Sequence, residues 1–94
     1  MGLFDRLFSA KSEEKTRTEE NVGIALDLIA KGNALEDVGE LVQALQLYNS
    51  AIDLAPGFAR GHLNRGNALL ACNDFDGAHA AFTTAVNLEP DYAA

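Results

Sequence analysis

The segment Lys31-Gly32-Asn33-Ala34-Leu35 returns, nearly unchanged, as Arg65-Gly66-Asn67-Ala68-Leu69. Working outward from it, the same 34-residue offset carries Ala25 onto Ala59, Ala44 onto Ala78, Ala51 onto Ala85, Leu54 onto Leu88 and Pro56 onto Pro90. Close substitutes fill the intervals: Tyr48 answers to Phe82, Ile52 to Val86, Phe58 to Tyr92. The apolar residues inside each copy fall at helical spacing. Val22, Ala25, Leu28, Ile29 and Leu35 predict a helix over about 20–37, stopped by Gly39. Leu41, Ala44, Leu45, Tyr48, Ala51 and Ile52 predict a second over 41–54, ended by Pro56 and Gly57. The second copy predicts helices over 58–72 and 75–88, with Asn73 and Asp74 as the turn and Asp74 as an N-cap.

A repeat of this length is a helix–turn–helix unit, and stacked units make an all-α solenoid. The small residues mark where helices come close. Gly32, Ala34, Gly66 and Ala68, with Ala44 and Ala78 facing them, predict tight packing within each pair. Tyr48 and Phe82 are expected to fill the space between pairs, and Ala51 and Ala85 to leave room for the next unit.

The whole pattern resembles the tetratricopeptide repeat family. Gly32, Leu35, Ala44, Tyr48, Ala51 and Pro56 meet its motif once, and Gly66, Leu69, Ala78, Phe82, Ala85 and Pro90 meet it again. Two departures stand out. Leu28 and His62 occupy the place of an early large aromatic, and Lys31 and Arg65 are basic where an apolar residue is usual. The resemblance implies a right-handed α-solenoid of antiparallel helix pairs. It also implies a concave groove lined by the first helix of each pair, which binds a peptide or protein without chemistry of its own. Residues opposite the packing stripe then become candidate contacts: Asn33, Asn67, Asn64, Ile29, Leu63, Arg60 and Leu70. An amide both donates and accepts, so Asn33 and Asn67 suit a peptide backbone; the alternative is that each bonds a neighbouring helix. Some relatives clamp a C-terminal carboxylate with Lys and Asn. Ile29 stands where that Lys belongs, which disfavours a carboxylate ligand and leaves a groove of apolar Ile29, Leu63 and Leu70 beside acidic Glu36 and Asp37.

Composition narrows the classes. The 94 residues carry a net charge of −7, most of it beyond residue 20, where nine acids face three bases. No basic stripe is present, so no nucleic-acid partner is expected. Cys72 is the single cysteine, which excludes an internal disulfide. Cys72, His62 and His79 lack metal-ligand spacing, and no nucleophile–base pair or glycine-rich phosphate loop stands out. The expectation is a non-enzymatic interaction module, a scaffold or adaptor, with no cofactor and no metal. The alternative is the regulatory or substrate-recruiting part of a larger enzyme such as a transferase.

The N-terminal region divides into an apolar-rich segment, residues 1–10, and an all-polar stretch, residues 11–20, read as a flexible linker or a solvated helical extension. Leu3, Phe4, Leu7 and Phe8 share one side of a helix and suit docking on the solenoid or on a partner, or contact with a membrane surface. Residues 1–8 have no basic leader, and Arg6 stands where a myristoylation motif needs Ser or Thr; a cytoplasmic location is expected. Two units are fewer than a solenoid usually needs. The last helix, through Ala81, Ala85 and Val86, is expected to lack a cover, supplied by further repeats or by a second chain in a homodimer.

Overall fold

The computed structural model describes the backbone of residues 3–89 and the side chains of residues 17–89. Within them the chain is four helices: α1 (Leu3–Asp37), α2 (Leu41–Leu54), α3 (Ala59–Ala71) and α4 (Phe75–Leu88). No strand occurs among the described residues. The chain is an all-α stack of two helix–turn–helix units. The last three helices match the sequence prediction to within a residue. The first does not: it begins at Leu3, not near Glu20, and runs for 35 residues. The stretch 11–20 contains no Gly or Pro and is rich in Lys, Glu and Arg, good helix formers, so nothing halts the helix there.

Both turns within the pairs use one device. Gly39 takes φ +83°, its N–H bonds Glu36 O at 3.0 Å, and Glu40 N–H bonds Leu35 O at 2.8 Å. Thirty-four residues on, Asn73 takes φ 65°, with Asn73 N–H to Leu70 O at 3.0 Å and Asp74 N–H to Leu69 O at 2.9 Å. Each is a Schellman closure with a left-handed residue after the helix, which Gly and Asn tolerate best. Asp74 then caps α4, its Oδ1 accepting from Gly77 N–H at 3.0 Å.

Packing inside each pair rests on a missing Cβ. A methyl on Gly32 would collide with the Tyr48 ring, and one on Gly66 would lie 2.5 Å from Phe82 Cε1. Thus Tyr48 and Phe82 sit on the glycine of their own unit, correcting the expectation that they chiefly fill the space between units. The core is alanine-rich: Ala25, Ala44, Ala51, Ala55 and Ala68 surround Ile29 and Tyr48, the latter wholly buried.

Identical letters differ in burial where a neighbour exists on one side only. Ala68 is buried while Ala34 is exposed, so Ala34 does not pack as expected. Gly61 lies against Ile52, whose Cγ1 would be 3.1 Å from a Cβ there, while its counterpart Asp27 is exposed. Ile52 is half-buried and Val86 exposed. Ala81 and Ala85, expected to be uncovered, are buried in their own pair. The open surface of α4 is instead a shallow pocket of about 260 Å³ lined by His79, Phe82, Thr83, Val86 and Asn87. Pro90 and Tyr92 lie outside the described residues, as do the side chains of Leu3 to Phe8.

Candidate partner-binding surface

Helix layering defines an inner and an outer face. α1 packs on α2, α2 on α3 and α3 on α4; α1 also touches α3, whereas α2 and α4 do not touch. The two first helices therefore lie closer together than the two second helices. The stack curves, and α1 and α3 form its inner layer.

The candidate residues fare differently on these helices. Arg60, Asn67 and Leu70 are exposed, and Leu63 and Asn64 are half-buried. Ile29 is 2 % exposed and belongs to the core cluster that also holds Ala68 of α3. It has no surface to offer a ligand, so its assignment to the groove is corrected. Its counterpart Leu63 is half-buried because no helix among the described residues stands beyond α3 and α4 as α3 stands beyond α1.

The two asparagines at the repeated position differ in their ties. Asn33 is exposed but anchored. The Tyr48 hydroxyl lies 2.7 Å from Asn33 Oδ1 and 2.8 Å from Glu36 Oε1. The hydroxyl has one proton, and the carboxylate is the stronger acceptor. A half-turn of the Asn33 amide then lets its NH2 donate to Tyr48 Oη, which satisfies all three groups and leaves the amide carbonyl facing outward. Burial, the Glu36 bond and the negative charges of Glu36 and Asp37 push the Tyr48 phenol well above its ordinary value, so it stays a donor into strong alkali. In the second unit Phe82 replaces Tyr48 and Leu70 replaces Glu36. Asn67 makes no side-chain hydrogen bond among the described residues. Asn64 Nδ2 donates to Arg60 O of its own helix at 2.9 Å.

The inner layer thus runs from polar and acidic (Asn33, Glu36, Asp37) on α1 to apolar (Leu63, Leu70, Ala71) on α3, with Arg60 at the start of α3. The tie from Asn33 to Tyr48 of α2 is the alternative expected of that amide, a bond to a neighbouring helix, whereas Asn67 makes none; the part played by Tyr48 and Glu36 was not foreseen, and the Tyr/Phe difference between copies was its trace in the sequence.

Other titratable residues do not converge. His62 is half-buried, its Nε2 2.9 Å from Pro56 O, which ties α3 to the loop before it. His79 is exposed on α4, and Cys72 is exposed. Among the described residues no group of three or more His, Cys, Asp or Glu could hold a metal ion. No helix there is long and apolar enough to cross a membrane.

Comparison with known proteins agrees with this architecture. Over 60 residues, 64 % of this chain, it is 38 % identical to the UDP-N-acetylglucosamine–peptide N-acetylglucosaminyltransferase of Giardia intestinalis. The match spans 4 % of that protein's length. The family model for the tetratricopeptide repeat matches residues 35–94. With paired helices, glycine-on-aromatic packing and the 34-residue period all in register, the chain belongs to the tetratricopeptide repeat family.

Proposed function

We propose that the protein is an interaction module whose α1–α3 face binds an extended peptide or a protein segment. The observation that carries this reading is the pair of exposed amides, Asn33 and Asn67, at one repeated position of the inner-layer helices. Two amides spaced by one repeat would hold a peptide backbone without dictating its sequence. Leu63 and Leu70 would take an apolar side chain, and Glu36 with Asp37 a neighbouring basic one, giving an amphipathic ligand with some positive charge. Phage-displayed peptide selection against the immobilised chain tests this. Selected peptides should lose affinity for the Asn33→Ala, Asn67→Ala double variant. Two hydrogen bonds of about 1 kcal/mol each correspond to a loss of roughly 30-fold. Unchanged binding by a folded double variant would remove the reading.

The likeness to a transferase favours a second reading. Here the module recruits substrates for a catalytic domain encoded in the same frame. The gene's reading frame beyond Ala94 decides it: an in-frame catalytic domain supports recruitment, and a stop codon removes it.

A further inference from the structure

Tyr48 is the largest fully buried side chain among the described residues, and its ring lies directly on Gly32, where no Cβ intervenes. A ring packed in this way delivers its hydroxyl to one place. That place is the edge of α1 between Asn33 and Glu36, which lie one helical turn apart and are neighbours on the helix surface. The hydroxyl therefore ties the exposed amide of the first unit to the core.

Proton counting sets the polarity of this tie. The phenol has one proton, and an ionised carboxylate has none to give. The phenol proton goes to Glu36, so the hydroxyl oxygen is left to accept from the Asn33 NH2. Burial, the Glu36 hydrogen bond and the charges of Glu36 and Asp37 keep the proton on the phenol at neutral pH. The amide nitrogen is turned inward and the carbonyl oxygen outward.

The second unit has the same frame without the device. Phe82 lies on Gly66 as Tyr48 lies on Gly32, but it has no hydroxyl, and Leu70 stands in the place of Glu36. Asn67 is exposed and makes no side-chain hydrogen bond among the described residues, so either end of its amide can face outward.

We propose that Glu36, acting through Tyr48, is a positioning residue that gives the two amides different specificities. This rule rests on the α1–α3 face being the peptide surface. Asn33 presents a fixed acceptor, so the ligand residue opposite it must supply an N–H. Proline, which has none, is excluded there. Asn67 turns to suit its ligand, donating or accepting, and tolerates a residue without an N–H.

The orientation of Asn33 is tested in the free chain, with no ligand present. In NOE spectra of the isotope-labelled chain, the Asn33 NH2 protons should show strong cross-peaks to the Tyr48 ring protons. Glu36→Gln should weaken them, because the phenol proton is then free to bond the Asn33 carbonyl. Leu70→Glu with Phe82→Tyr should create the equivalent cross-peaks at Asn67. Circular dichroism checks that each variant is folded. Specificity is tested with a phage-selected peptide in which each backbone amide in turn is replaced by an ester, which removes one N–H. The ester whose cost vanishes in Asn33→Ala marks the residue opposite that amide. It should weaken binding to the wild-type chain roughly fivefold or more, the worth of one hydrogen bond. The same ester should cost the Tyr48→Phe chain no more than about twofold, since an unheld Asn33 can turn its NH2 to the ester oxygen. Asn67→Ala should leave the wild-type ratio in place.

Asn33 NH2 protons remote from the Tyr48 ring in the wild-type chain overturn the proposal. Cross-peaks unchanged in Glu36→Gln also overturn it, because Glu36 then positions nothing. So does an ester cost in Tyr48→Phe equal to that in the wild-type chain, or the absence of any ester whose cost depends on Asn33. A peptide that binds the Asn33→Ala, Asn67→Ala variant unchanged removes the peptide reading of the face, and the specificity rule with it, whatever the NOE spectra show.

Discussion

Gly23→Ala and Gly32→Ala make the same chemical change on the same helix and should move stability in opposite directions. Gly23 is exposed in the middle of α1, and a Cβ there meets nothing within 4 Å. Alanine is favoured over glycine in a helix by about 1 kcal/mol, so Gly23→Ala should stabilise by that amount. At Gly32 the same gain is overridden. The new methyl would collide with the ring of Tyr48, which is wholly buried and tethered through its hydroxyl to Asn33 and Glu36. The ring cannot swing aside, so α1 and α2 must separate by roughly the 1 Å of overlap, an overpacking cost of about 3 kcal/mol. The net for Gly32→Ala is a loss of about 2 kcal/mol. For a domain of this size, 1 kcal/mol moves Tm by about 4–8 °C. Thermal unfolding should thus show a rise of about 5 °C for Gly23→Ala and a fall of about 10 °C for Gly32→Ala. If Gly32→Ala melts at or above the Gly23→Ala chain, the close approach of α1 and α2 on the Tyr48 ring is wrong.

Further expectations follow from other contacts. Asn73→Gly should stabilise by about 0.5–1 kcal/mol in urea unfolding, because glycine adopts the left-handed turn conformation more readily. Asp74→Ala should cost about 1 kcal/mol by removing the cap on Gly77 N–H, and Asp74→Ser should recover most of it. Arg65→Met should be neutral or stabilising by up to about 1 kcal/mol, since Arg65 Nε is buried with no partner among the described residues and methionine keeps the apolar stem. Tyr48→Phe should cost about 1–2 kcal/mol near neutral pH, and it should remove a pH dependence. The folded-state pKa of Tyr48 is raised, so its contribution is whole below pH 10 and is lost as pH climbs through the folded value. Wild-type stability should therefore fall in strong alkali more steeply than that of Tyr48→Phe.

The elements with explicit stops were legible in the sequence. α2 and α4 have the predicted bounds because Gly39, Pro56 and Asp74 punctuate them. The start of α1 was not legible, because a polar run of helix formers looks the same as linker or as helix. Burial was legible only where both copies share an environment. Ala44, Ala51, Ala78 and Ala85 are buried alike, each against its own pair. Ile29 and Leu63, Ala34 and Ala68, and Ile52 and Val86 differ because one member of each has a neighbouring unit and the other has none. That asymmetry comes from position in the stack and leaves no mark on the residues themselves. The same cause removes Ile29 from the candidate surface, while Arg60, Asn67 and Leu70 keep the exposure a ligand needs. The Tyr48 network was hidden for another reason. A Tyr-for-Phe exchange reads as packing until the hydroxyl is seen beside Asn33 and Glu36.

The most direct test of the interaction reading is an amide chemical-shift map of the labelled chain titrated with a phage-selected peptide. The account predicts changes that cluster on Asn33, Glu36, Arg60, Leu63, Asn67 and Leu70, along α1 and α3. Changes confined to α2 and α4, or no shift at peptide saturation, would contradict it.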